Sequence, residues 1–191
     1  MIVSLLGLLI LFPIITIAWI VSAIDTKSNG FFTQNRIGKN GKIFRIIKIK
    51  TMKKIDGVNT NITTSDDVRL TKSGIFIRKN KIDELPQLID VLYGKMSIVG
   101  PRPELKEYVD TYSEEIKNKI LSVKPGITDY ASILMTDESL LLASYKSPQE
   151  AYTDNILPKK LGLSIKYVDN NNIFLDVKII FLTLKKIIFK R

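Results

Sequence analysis

The stretch MIVSLLGLLILFPIITIAWIVSAI, residues 1–24, decides how the rest of the chain is read. It carries no charge, and 19 of its 24 residues are apolar, the exceptions being Ser4, Gly7, Pro13, Thr16 and Ser22. At 1.5 Å per residue, about 20 helical residues cross a hydrocarbon core of roughly 30 Å, so the segment is long enough for one membrane span. Pro13 stands in its middle, where it removes a backbone hydrogen bond and clashes with the preceding turn. Two architectures follow: a kinked transmembrane helix, or a helix-break-helix that enters and leaves one leaflet on arms of about 18 Å each. A cleaved signal peptide is a third, with small residues at Val21-Ser22-Ala23, but the apolar run exceeds the ~7–15 residues of a signal core and no Lys or Arg precedes it.

Working outward, residues 27–54 hold nine basic side chains (Lys27, Arg36, Lys39, Lys42, Arg45, Lys48, Lys50, Lys53, Lys54) and no acid. The positive-inside rule places such a flank in the cytoplasm, against anionic headgroups. At the far end, residues 172–191 are rich in Ile, Phe and Leu yet carry Asp176, Lys178, Lys185, Lys186, Lys190 and Arg191. Those charges forbid a comfortable span and suit an amphipathic helix lying in the membrane interface, or one packed on the core. The expected organisation is a membrane helix over 1–26 and a cytoplasmic domain over 27–191, with 172–191 interfacial.

Across 191 residues, 29 Lys and Arg face 19 Asp and Glu, a net charge of +10, so anionic partners are expected, phosphates first. With no Cys and no His, the usual zinc ligands, a thiol nucleophile and a Ser-His-Asp triad are all excluded. Chemistry must come from carboxylates, Lys, Arg, hydroxyls or a bound metal.

Residues 30–170 contain no repeat or long linker and are expected to fold as one unit. Gly38-Lys39-Asn40-Gly41 separates two β-like segments, Phe31–Ile37 and Lys42–Lys50, which predicts a hairpin. The polar run from Ile55 to Arg69 reads as a mobile loop. Helices are expected from Ser73-Gly74 to Arg78, Lys81 to Leu92, Glu104 to Leu121 and Asp137 to Tyr145, giving a mostly helical α+β protein with few strands.

Asp83 and Glu84 are adjacent, with Arg78, Lys79 and Lys81 close by and Pro86 downstream. Acids at a helix start serve as caps and complement the dipole, for roughly 0.5–2 kcal/mol. In a basic, phosphate-attracting setting the same pair can attack phosphorus or hold Mg²⁺. Ser97-Ile98-Val99-Gly100-Pro101-Arg102-Pro103-Glu104 is the second candidate, a rigid turn whose arginine can grip phosphate in a bidentate manner or simply be solvated. Lys48 and Lys50 carry the same ambiguity on a strand.

Several motifs then coincide in order: Phe32, Gln34, Arg36, Gly38 and Gly41; Lys48 with Thr51-Met52; Arg69, Thr71 and Gly74; Arg78; Asp83-Glu84-Leu85-Pro86-Gln87-Leu88; Gly94, Met96 and Ser97; Val99 to Pro103; and Lys124-Pro125-Gly126-Ile127-Thr128. Nearly the whole chain resembles the bacterial sugar transferase family, the monotopic phosphoglycosyl transferases, in its minimal catalytic form. The resemblance implies an enzyme of the cytoplasmic face of the bacterial inner membrane that moves a phospho-sugar from a UDP-sugar to undecaprenyl phosphate, releasing UMP. It implies Asp83 as nucleophile and Mg²⁺ ligand, Glu84 as its catalytic helper, and Lys48, Arg78 and Arg102 as phosphate or substrate contacts. It also implies a hairpin broken at Pro13, hence a re-entrant membrane helix.

The chain departs from the family pattern at Phe12 before the proline, at Asp90 and Lys95, where Asn and an acid are usual, and at Asp129, which replaces a frequent Gly. The competing reading is a non-enzymatic basic protein of the membrane surface, binding anionic lipid or nucleic acid through residues 27–54 with Phe31, Phe32 and Phe44 interleaved. A simple basic binder has no use for the acidic pair or the rigid arginine turn.

Overall fold

The computed structural model describes residues 2–58, 60–135 and 138–189. Among these the protein is mostly helical with small sheets, the α+β class expected. Its contacts group into two compact units rather than the one expected over 30–170: Met1–Gln34 with Arg45–Asn61 and Asp66–Gly94, and Asn35–Phe44 with Ile62–Ser65 and Lys95–Arg191. The division arises because separate apolar clusters form in each, and the hairpin and the stretch after it contribute residues to both.

In the first unit, α1 (Ile2–Thr26) is a helix long and apolar enough to cross a membrane. The interruption expected at Pro13 does not divide it: helical structure runs through the proline. A proline is compatible with helical φ and deprives only the carbonyl four residues back of its partner. The Thr16 hydroxyl donates to the Phe12 carbonyl at 2.9 Å just past it, a bond that bends helices without ending them. Ser4, Ile15, Ala18 and Ser22 are buried, while Leu8 and Leu11 pack on the cluster of Ile15, Ala18, Ile49 and Ile77. Steps of three and four residues put all six on one face, so α1 is held by its own unit on both sides of Pro13. Its opposite face exposes Leu9, Ile10, Ile17 and Ile24.

The predicted hairpin forms from β1 (Phe31–Ile37) and β2 (Ile43–Ile49), joined through a turn in which Asn40 and Gly41 have positive φ. The Ser22 hydroxyl, from α1, donates to the carbonyls of Gly30 and Lys50 and so pins the hairpin's base. The run from Ile55 to Arg69 is tied at its root: Thr71 N–H donates to Thr51 O at 3.1 Å, Lys53 N–H to Arg69 O at 2.8 Å, and Met52 bridges Leu70. Arg69 forks onto Asp67 at 2.9 and 2.7 Å and reaches Thr60 O, so the segment is an anchored excursion. The guanidinium holds the Asp67 carboxyl below its usual range.

Next, α2 (Lys72–Lys79) is capped by the Thr71 hydroxyl, which accepts from Gly74 N–H at 2.9 Å. Gly74 is required there, since a Cβ would lie 2.2 Å from Thr51 O. The helix expected over Lys81–Leu92 is resolved into a 3₁₀ turn, Ile82–Gln87, and a short α3 (Leu88–Leu92). Pro86, inside the turn, has no N–H for an α-helical ladder, and the tighter pattern accommodates it.

The second unit contains a parallel pair absent from the sequence expectation: β3 (Ser97–Val99) with β4 (Gly126–Thr128), Ser97 opposite Gly126 and Val99 opposite Thr128. Three-residue strands leave no period to detect. Their closeness depends on glycine, because a Cβ on Gly126 would lie 2.1 Å from Gly100 N and 2.6 Å from its carbonyl oxygen. Gly126→Ala is therefore expected to destabilise the protein by about 3 kcal/mol, read as a fall in thermal midpoint, since the obstacle is backbone that cannot rotate away.

The single helix expected over Glu104–Leu121 is instead α4 (Lys106–Val109) and α5 (Glu114–Ile120). The Thr111 hydroxyl turns back onto Tyr108 O, and Ser113 caps a new start by accepting from Ile116 N–H, which breaks the ladder between them. Then come α6 (Tyr130–Leu134) with an Asp129–Ser132 capping box, and α7 (Glu138–Ala143) where a helix was expected from Asp137, a residue outside those described. Beyond them α8 (Pro148–Ala151), a π turn (Tyr152–Ile156) and α9 (Leu157–Asn170) form a stretch the sequence reading left unassigned.

Last, α10 (Ile173–Ile188) is capped by Asn172 and lies where an amphipathic helix was expected, although Lys190 and Arg191 are outside the described residues. It buries Ile179 completely against Val99 and Tyr167. Lys186 is turned inward to donate to the carbonyls of Ser132 and Ile133, at the end of α6. Phe174, Val177, Phe181 and Ile188 stay exposed, an apolar stripe apart from the buried one.

Candidate active site

The first unit brings together four of the residues singled out by sequence. Lys81 opens the 3₁₀ turn in the left-handed region, φ 57° and ψ 19°, and thereby reverses the chain after α2. Asp83 and Glu84 follow, 7 % and 8 % exposed. From β2, Lys48 reaches across 36 residues of sequence to place its Nζ 2.7 Å from Glu84 Oε1, with both side chains largely buried. It is therefore not the solvated strand lysine that sequence alone allowed.

Asp83 differs from its neighbour. Its Oδ1 is buried and has no hydrogen-bond partner. Burial, and after it the negative charge of Glu84, push its carboxyl above the usual range, while Lys48, Arg78 and Lys81 pull it back. Arg78, at the end of α2, is half-buried and donates to Met52 Sδ at 3.9 Å. A buried carboxylate oxygen without a donor, with three cations near enough to act on its charge, is poised for a metal ion or electrophilic phosphorus.

Behind this pair stands a residue whose role the sequence reading missed. Asp90, on α3, is 0 % exposed and accepts from the Ile47 N–H at 3.3 Å. It thus fixes β2 next to the residue that carries the lysine. The signal was an acid flanked by apolar residues in Leu88-Ile89-Asp90-Val91-Leu92, a pattern that demands a buried donor.

Arg102 belongs to the second unit. Its turn is held from both sides: Gly100 N–H donates to Thr128 O and Gly126 N–H to Pro101 O, each at 3.0 Å. Arg36 donates to Pro103 O at 3.2 Å and lies 3.6 Å from Glu104 Oε2, while Ile37 N–H donates to Glu104 O at 3.0 Å. The Tyr152 hydroxyl, buried in the π turn, donates to Glu104 Oε1 at 3.0 Å, and Lys160 ties the same tyrosine to Glu138. Desolvation raises the Tyr152 phenol above its ordinary value, so it stays a donor. Tyr152→Phe leaves a buried carboxylate oxygen short of a partner and should cost about 1–3 kcal/mol, measured by thermal unfolding.

A sequence profile of the family described as bacterial sugar transferase matches residues 1–190. The chain belongs to that family. Among relatives of this sugar transferase, the uncharacterized sugar transferase EpsL of Bacillus subtilis (strain 168) is 42% identical over 158 residues, covering 83% of this chain and 69% of its own. A UDP-glucose:undecaprenyl-phosphate glucose-1-phosphate transferase of Klebsiella pneumoniae is 36% identical over 192 residues, 97% of this chain and 38% of its own. A UDP-N-acetylgalactosamine-undecaprenyl-phosphate N-acetylgalactosaminephosphotransferase of Aeromonas hydrophila is 31% identical over 179 residues, 92% and 39%. The chain thus spans little more than a third of the length of the last two. Their names differ in the sugar, so similarity at this level does not carry a sugar identity.

Proposed function

We propose that this protein transfers a sugar 1-phosphate from a UDP-sugar to undecaprenyl phosphate, an early membrane step in making a surface glycan, through a covalent intermediate on Asp83. The observation that carries the proposal is the buried, unpartnered Asp83 Oδ1 beside Glu84, with Lys48, Arg78 and Lys81 around it. In the first step a carboxylate oxygen of Asp83 attacks the β-phosphorus, the bond from that phosphorus to the bridging oxygen breaks, and UMP departs with the electron pair. In the second, a phosphate oxygen of the lipid attacks the same phosphorus and the Asp83 carboxylate leaves, yielding a lipid-linked sugar diphosphate. A carboxylate relay lets a soluble and a lipid substrate use one site in turn. Lys48 holds Glu84 in place, Arg78 grips phosphate oxygens, and the low exposure of the acidic pair keeps water from the acyl phosphate.

The donor set fits Mg²⁺. Among the described residues no three acids cluster, but magnesium is commonly held by one or two carboxylates together with substrate phosphates and water. Asp83 supplies the hard oxygen. Bound there, the ion would neutralise the diphosphate as a Lewis acid. The deciding experiment incubates purified protein with a UDP-sugar and no lipid acceptor. It expects Mg²⁺-dependent UMP release in a single turnover and a phospho-sugar adduct on Asp83. UMP release without any adduct would refute the covalent assignment.

At the membrane, α1 is read as monotopic, with both chain ends on the cytoplasmic face and α10 in the interface. Support comes from the face, Ser4 to Ser22, that α1 keeps against its own unit on both sides of Pro13. In this cysteine-free chain, Val3→Cys and Ser28→Cys, both at exposed positions, should be protected from an impermeant maleimide in intact cells and react after lysis. Strong external labelling of Val3→Cys establishes a span across the bilayer instead.

A further inference from the structure

We propose that α2 is a further membrane-contacting element, whose outward face is seated in the headgroup and acyl boundary of an anionic bilayer. Its face buries Gly74 and Ile77, and Ile77 shares the cluster of Ile15 and Ala18 from α1. The other face carries Lys72, Ile75, Phe76 and Lys79, the spacing i, i+3, i+4, i+7 that lines one side of a helix. Ile75 is 53% exposed and Phe76 is 63% exposed, an apolar pair with a lysine one turn away at either end. That is an interfacial pattern in miniature: apolar side chains down, ammonium groups at the phosphates.

Two features select a lipid surface as the occupant. One is continuity, since the Ser73 hydroxyl donates to Asp25 at the end of α1 and Ile77 packs with residues about two and three turns earlier. The two helices therefore run alongside each other, and Ile17, Ile20 and Ile24 of α1 are exposed as well. The other is charge: both lysines complement anionic headgroups, and the neighbouring segment from Lys27 to Lys54 is basic without an acid. The inference rests on the membrane reading of α1 and deepens it. Arg78 stands on the same helix two residues after Phe76, so seating α2 at the boundary brings this residue of the candidate site close to the membrane surface.

Because the chain lacks cysteine, single cysteines at Phe76, at Ile75 and, as a reference, at Ile20 on α1 can each carry an environment-sensitive NBD probe. The full-length protein is reconstituted into vesicles of phosphatidylglycerol and phosphatidylethanolamine, some containing lipids spin-labelled near the headgroup. The expected result is blue-shifted emission at 75 and 76, quenched by the spin-labelled lipid to an extent comparable with the probe at 20. Water-like, unquenched emission at 75 and 76 with a quenched probe at 20 overturns the proposal and leaves the membrane reading of α1 intact. Water-like emission at all three positions overturns both. Blue-shifted emission at 75 and 76 that lipid labels do not quench means another protein surface covers the face, and also overturns it.

Discussion

Asp83→Asn is expected to abolish turnover, a loss on the order of 10⁴-fold or more, comparable with removing a nucleophile elsewhere. The amide retains the size of the carboxyl but cannot act as an anionic nucleophile, so UMP release and adduct formation should vanish together. Stability should move the other way. Burial and the Glu84 charge raise the Asp83 carboxyl above its ordinary value of 3.8, so ionising it in the folded protein costs free energy that asparagine does not incur. The aspartate protein is at its best below that ordinary value and loses stability as pH rises through the raised folded value. The variant should therefore melt higher at neutral and alkaline pH, with the gap closing towards pH 4. Thermal unfolding of both proteins across that range reads the effect. A variant that melts lower at every pH would show that the fold depends on the carboxylate, and near-normal UMP release would discard Asp83 as nucleophile.

Lys48→Met is expected to have the second largest effect, through the partner it abandons. Lys48 and Glu84 meet at 2.7 Å with side chains only 15% and 10% exposed. Removing the ammonium takes the 2.7 Å ion-pair partner from a largely buried carboxylate, at a cost of about 3 kcal/mol. Adding Glu84→Gln should return much of that stability, since neither charge then remains. Activity should not return with it: we expect the double variant to stay at least about 100-fold slow, because the electrostatic support around Asp83 is gone. A double-mutant cycle on thermal midpoint and on single-turnover UMP release separates the two. Stability and activity recovering together would reduce the ion pair to a structural brace.

What the sequence determined on its own was whatever depends on local order. Twenty-four uncharged residues require an apolar environment wherever they are placed, and Gly38 to Gly41 between β-like segments forms the hairpin. The Asp83-Glu84 pair and the Pro101-Arg102-Pro103 turn were visible because their residues are contiguous. What only the tertiary structure decided involves partners far apart in the chain, which local propensity does not encode. Lys48 finds Glu84 across 36 residues, Tyr152 finds Glu104 across 48, and β3 pairs with β4 through a glycine contact that leaves no periodic trace. Asp90 looked like a departure from a pattern until its backbone partner on β2 was seen. Pro13 marks the limit of local reading most clearly: proline chemistry predicts an interruption, yet helical structure runs through it, with Leu8 and Leu11 before it and Ile15 and Ala18 after it packed in one cluster.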